Sequence, residues 1–67
     1  MMVKINGRPE TLPQKVLTLE ELVAGMGLNP ERLVIEHNLE IVPREAWPGI
    51  RIQGNDNIEI VSFVGGG

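Results

Sequence analysis

The chain has 67 residues, no cysteine, one histidine, and nine acidic against six basic side chains, for a net charge of −3. That length allows one small domain, and the composition supplies neither a disulfide framework nor a thiolate or multi-histidine metal site to staple it. Stability must come from apolar packing, which 42% hydrophobic residues, nearly all aliphatic, make feasible. The basic residues Lys4, Arg8, Lys15, Arg32, Arg44 and Arg51 are scattered, so the clustered positive charge that nucleic-acid binding needs is missing. No apolar run approaches the ~20 residues of a membrane span, and MMVKING lacks the pattern of a signal peptide. The expectation is a soluble cytoplasmic protein with neither nucleic acid nor membrane as partner.

In chain order, Met1–Asn6 alternates as a half-buried strand, and Asn6-Gly7 is a strong hairpin-turn signal. The partner strand is expected within Glu10–Leu17, at an edge because of Pro9 and Pro13. Thr18-Leu19-Glu20-Glu21 has the form of a capping box. Leu19, Leu22, Val23 and Met26 follow at the spacing of one apolar helix face, and Gly25 or Gly27 stops the helix before Pro30. Leu33–His37 reads as a third strand, Glu40–Val42 as a short fourth ended by Pro43, and Arg44–Trp47 as a single helical turn. Arg51–Gln53 is short and extended, Gly54–Asn57 a turn by composition, and Ile58–Val64 the last and most apolar strand. Hairpin, helix, then further strands is an α+β order. It fits a β-grasp, or ubiquitin-like, domain: a mixed four- to five-stranded sheet with one main helix on one face. The expected domain is 1–64, followed by a flexible glycine tail, 65–67. The expected core is Val3, Ile5, Leu19, Leu22, Val23, Leu33, Ile35, Ile58 and Ile60.

No catalytic constellation is visible. Ser62 has no base near it in sequence, His37 stands alone and reads as a satisfied or surface histidine, and Glu20-Glu21 is explained by helix capping. Gly25-Met26-Gly27 ends a helix instead of opening one, unlike a dinucleotide fingerprint. The exceptional feature is the end of the sequence, Gly65-Gly66-Gly67. Without a Cβ such a segment can enter a channel too narrow for side chains, and three extended residues reach ~10 Å. The one functional group at its tip is the Gly67 α-carboxylate, a poor electrophile until another protein activates it. The chain therefore reads as a macromolecular substrate and not as an enzyme.

One helix covers one face of a sheet. If Ile58 and Ile60 face the helix, Val61 and Phe63 face away, as do Val34 and Met2 by the same alternation. Those four are the expected partner-binding residues, as a patch at the root of the tail. The competing expectation is that sheet twist or the Arg44–Ile50 segment covers them.

The residues Val3-Lys4-Ile5-Asn6-Gly7, Thr18-Leu19, Ile41-Val42-Pro43-Arg44-Glu45-x-Trp47 and Ile58–Gly67 together resemble the ThiS-type sulfur carriers of thiamine biosynthesis, within the ThiS/MoaD group of ubiquitin-like proteins. The resemblance spans essentially the whole chain and departs at two turns, where Leu39 follows Asn38 and where Gly54-Asn55-Asp56 precedes the last strand. It implies a cycle. A ThiF-like adenylyltransferase uses ATP and Mg²⁺, neither bound by this chain, to adenylate Gly67. Sulfur from a donor system with a cysteine desulfurase then makes a thiocarboxylate, and a ThiG-like thiazole synthase takes the sulfur to build the thiazole ring. The alternatives are a MoaD-like carrier for molybdopterin synthesis, a ubiquitin-like modifier joined to lysines, and an interaction domain with an inert tail.

Overall fold

Asn6 and Gly7 both take positive φ, 53° and 80°, and so turn the chain tightly between Met2–Ile5 (β1) and Arg8–Thr11 (β2). The computed structural model, which describes residues 1–63, pairs these strands antiparallel with Ile5 opposite Arg8. The second strand thus begins earlier than the sequence suggested, because a two-residue turn commits the very next residue to the ladder. Pro9, opposite Lys4, is tolerated because β2 is an edge strand.

Leu19–Met26 (α1) starts as its capping box dictates. Thr18 Oγ1 accepts the Glu21 N–H at 3.2 Å, and Glu21 Oε1 accepts the Thr18 N–H at 3.0 Å and the Leu17 N–H at 2.8 Å. Gly27 closes the helix at φ 71°, a left-handed conformation that favours glycine. Leu19, Leu22 and Val23 are buried, but Met26 is exposed. The chain reverses at Gly27, and Leu28 packs against the core just beyond the last turn.

Leu33–His37 (β3), Glu40–Val42 (β4) and Asn57–Ser62 (β5) complete one five-stranded sheet of order β2-β1-β5-β3-β4. β5 runs parallel to β1 and antiparallel to β3. This mixed sheet with one main helix is the β-grasp arrangement. The expected core holds, with Ile5 at its partly buried margin. It also includes Leu12, Val16, Trp47 and Ile52, which come from segments with no strand or helix period to announce them. Trp47 sits in a 3₁₀ segment, Arg44–Gly49, longer than the single turn expected. Its Nε1–H donates to the Val42 carbonyl at 3.0 Å, which lets a large indole be buried with its polar atom satisfied. Ile52 is held by its N–H to the Leu17 carbonyl at 2.9 Å, within the short pairing of Thr18 with Arg51.

Asp56 is the one buried charged side chain among the described residues. Its carboxylate accepts from the Gln53 N–H at 2.8 Å, from His37 Nε2–H at 2.7 Å and from Asn38 Nδ2–H at 3.1 Å. Burial pushes this carboxyl up, but the Gln53 and His37 hydrogen bonds, the Asn38 amide and the charge of His37 outweigh it and hold it below the ordinary 3.8. A depressed carboxyl stabilises the fold above its unfolded value and ceases to do so as the pH falls through its folded value. Asp56→Ala is expected to cost about 2 kcal/mol near neutrality by orphaning these donors. The gap to wild type should narrow once the pH drops below 3.8. Urea titrations across that range check this, and a gap independent of pH would mean that the ionised form contributes nothing.

Candidate functional site

Strand alternation gives the sheet two chemically different faces. Val3, Leu33, Ile35, Ile58 and Ile60 lie under the helix, and Met2, Val34, Val61 and Phe63 are all exposed. Phe63 is 47% and Val61 57% accessible, large values for apolar side chains on a sheet of this size. The Arg44–Gly49 segment does not cover them, because it packs against α1 on the opposite side.

Register decides which of the four belong together. Val34 is directly opposite Val61, and Phe63 follows Val61 on the same side of the chain, its N–H donating to the Arg32 carbonyl at 3.0 Å. These three form one apolar group at the C-terminal end of β5. Met2 does not join them. β1 and β5 are parallel, with Lys4 beside Asn57, and the Met2 carbonyl takes the Asn55 N–H at 2.8 Å. Met2 therefore lies just before the start of β5, about 26 Å along the sheet from Phe63 at ~3.3 Å per residue. There it accepts a hydrogen bond from Thr11 Oγ1 on its sulfur at 2.9 Å and lines a shallow depression with Lys4, Pro9 and Asn55. Alternation placed Met2 on the correct face, but only the strand order and direction place it along that face.

Ile41 is a further exposed apolar residue on this face, which the sequence reading missed. It is 68% exposed and sits opposite Glu36 on β4, at the sheet edge. The signal was available, since Val42 turned inward makes Ile41 face outward. Between Ile41 and Val61 lie Glu36 and Glu59, opposite each other on neighbouring strands. Both are half-buried and neither forms an ion pair among the described residues. Lys4, on the same face, is beside Asn57. The face is thus apolar with a negative centre, a charge pattern suited to a partner that presents basic groups.

Val64, Gly65, Gly66 and Gly67, including the expected reactive terminus and tail, lie outside the described residues. His37 is the satisfied histidine anticipated, fixed on Asp56. Among the described residues no group of three or more His, Cys, Asp or Glu is placed to hold a metal, and no helix is long and apolar enough to cross a membrane.

The comparisons with known proteins agree with this geometry. The model of the ThiS family matches residues 3–67. The chain belongs to the ThiS family. Its similarity to the sulfur carrier protein ThiS of Bacillus subtilis is 33% identity over 66 residues, covering 98% of this chain and all of that one. A crystal structure of the thiamine biosynthesis protein ThiS from Geobacter metallireducens superimposes with a TM-score of 0.85 at 30% identity, each chain covered completely. The chain is also 37% identical over its whole length to a thiazole synthase of Magnetococcus marinus and 34% to one of Paramagnetospirillum magneticum. It spans only 20% of the length of those two proteins. This ThiS-family chain thus resembles both a free-standing carrier and a part of a larger synthase.

Proposed function

We propose that this protein is a sulfur carrier for thiazole formation in thiamine biosynthesis, acting in the cytoplasm as a co-substrate of partner enzymes and not as an enzyme itself. The observation that carries the reading is the family match, which runs without a break through the apolar end of β5 to Gly67. A ThiF-type adenylyltransferase, using ATP and Mg²⁺, would direct a Gly67 carboxylate oxygen at the α-phosphorus of ATP, with pyrophosphate leaving. The terminal sulfur of a persulfide formed by a cysteine desulfurase would then attack the acyl carbon and displace AMP, and a thiol reductant would cleave the S–S bond of the resulting acyl disulfide, leaving the sulfur on the carrier. The resulting thiocarboxylate is nucleophilic at sulfur and is addressed by the protein that carries it. The thiazole synthase that accepts the sulfur is favoured over a molybdopterin-forming enzyme because the thiazole synthases of two organisms contain a stretch similar to this entire chain.

The test is the intact mass of the protein after incubation with a ThiF-type enzyme, ATP, Mg²⁺, a persulfide-generating desulfurase with its cysteine substrate, and a thiol reductant. A gain equal to one oxygen-to-sulfur exchange, confined to the C-terminal peptide, is the expected result. An unmodified terminus would exclude the carrier role, and an isopeptide adduct on lysine would identify a modifier instead.

The docking surface in this reading is Val34, Val61 and Phe63. Phe63→Ala should weaken binding to the adenylyltransferase and to the thiazole synthase alike, each by about tenfold or more, as expected for an aromatic anchor. Its melting curve should stay within the range of an ordinary surface change. The two enzymes should also compete for the carrier. Unaltered affinity for both, in a folded variant, would place the docking face elsewhere.

A further inference from the structure

Among the described residues, the end of β5 has a neighbour on one side only. In its antiparallel pairing with β3, the residues whose peptide groups bond β3 are Asn57, Glu59, Val61 and Phe63. The bonds from Asn38 N–H to the Asn57 carbonyl and from Phe63 N–H to the Arg32 carbonyl mark the two ends of that set. Ile58, Ile60 and Ser62 therefore direct their peptide groups the other way, towards β1. The Ile58 carbonyl accepts the Asn6 N–H at 2.9 Å. Ile60 is met not by backbone but by the Asn6 side chain, whose Oδ1 accepts the Ile60 N–H at 2.7 Å and whose Nδ2–H donates to the Ile60 carbonyl at 3.2 Å. The Asn6 amide imitates one more residue of strand, and there β1 stops, because the chain turns away at Gly7. Ser62 is next, exposed, and its N–H and carbonyl have no partner on this edge among the described residues.

We propose that the activating enzyme places an extended segment of its own against this free edge, pairing its backbone with the Ser62 peptide. An apolar side chain of the same segment rests on Val61 and Phe63. The inference rests on the reading that the chain is a substrate of a ThiF-type enzyme. An outward N–H and C=O at strand spacing are matched together by extended backbone and by few other groups, and the alternate side chains of the strand supply the specificity. A second copy of this chain is a poorer occupant. Each copy carries a net charge of −3, and the described edge offers one peptide beyond the Asn6 amide, far too little surface for a stable dimer. Strand pairing at Ser62 would also fix the direction in which the following residues leave the domain, which a carboxylate delivered to an adenylation centre requires.

The edge is tested by removing one donor. Ser62→Pro lacks the N–H, and an edge position tolerates proline. N-methylation of the Ser62 amide by chemical synthesis removes the same donor without altering the side chain, and serves if the proline variant does not fold. Ser62→Ala keeps the whole backbone and is the control. Binding to a ThiF-type adenylyltransferase and thermal melting are measured for each. The expected result is a melting curve close to wild type, affinity reduced by about tenfold or more for the proline and N-methyl forms, and unchanged affinity for Ser62→Ala. Wild-type affinity in the folded N-methyl form overturns the proposal while leaving the carrier reading intact. Loss of self-association with enzyme binding preserved also overturns it, by making the edge a contact between copies. If the unmodified protein is neither bound nor adenylated, the carrier reading fails and this inference with it.

Discussion

Gly66→Val is expected to abolish adenylation of the C-terminus in a protein that still folds. In the proposed cycle the carboxylate is threaded to a nucleotide in another protein's active site, and a β-branched side chain one residue from the tip widens the chain and restricts its backbone where glycine does neither. Among the described residues the last member of the buried core in sequence is Ile60, and a glycine contributes no side chain to such a core. The stability change should therefore be below ~0.5 kcal/mol, the range of ordinary surface substitutions. Pyrophosphate exchange by the activating enzyme reads the first effect and a urea midpoint the second. Normal exchange would mean that the glycines are not selected by a narrow channel.

Leu22→Ala should have the opposite profile, a large loss of stability with the reactive end untouched. Leu22 is 4% exposed on the buried face of α1. Removing a buried leucine side chain costs about 2–5 kcal/mol, whereas a domain of this length has only about 3–10 kcal/mol in total. The helix has eight residues and is too short to persist without the sheet beneath it, so the loss is shared by the whole domain. An unchanged urea midpoint would show that this face of the helix does not carry the packing.

Where a local rule governs a segment, the sequence predicted the structure closely. Thr18 and Glu21 form the reciprocal cap, Gly27 stops the helix, and β3 and β4 have the bounds that their alternation and the turn at Asn38-Leu39 suggest. That turn forms without a glycine. Asn38 and Leu39 take φ of 51° and 74°, and the cost of left-handed backbone at Leu39 is offset by the three-stranded pairing around it. What the sequence hid was tertiary. Leu12, Val16 and Ile52 are core residues on irregular backbone, where no period marks an inward side. Asp56 reads as a turn residue, and only the fold brings His37 and Asn38 to it. Met2 was placed on the open face by alternation but at the wrong end of it, because side-chain period says nothing about whether two strands run parallel. The proposed docking face shows the same division. Val34, Val61 and Phe63 follow from period two, whereas the free edge at Ser62 depends on where β1 ends.

The position of β5 has a consequence for synthesis of the protein. It is the last strand in the sequence, yet it lies in the middle of the sheet, with β1 and β2 on one side and β3 and β4 on the other. The two hairpins meet only through it. A nascent chain on the ribosome can form each hairpin and the helix in passing, but it cannot close the sheet until β5 has emerged, so folding of the domain waits for its central strand. A truncated product that lacks the C-terminal residues of β5 is left with two unjoined edges and exposes Ile35 and Leu19 to cellular proteases. Chains cut short within β5 are therefore removed, whereas those that reach Ser62 can close the sheet.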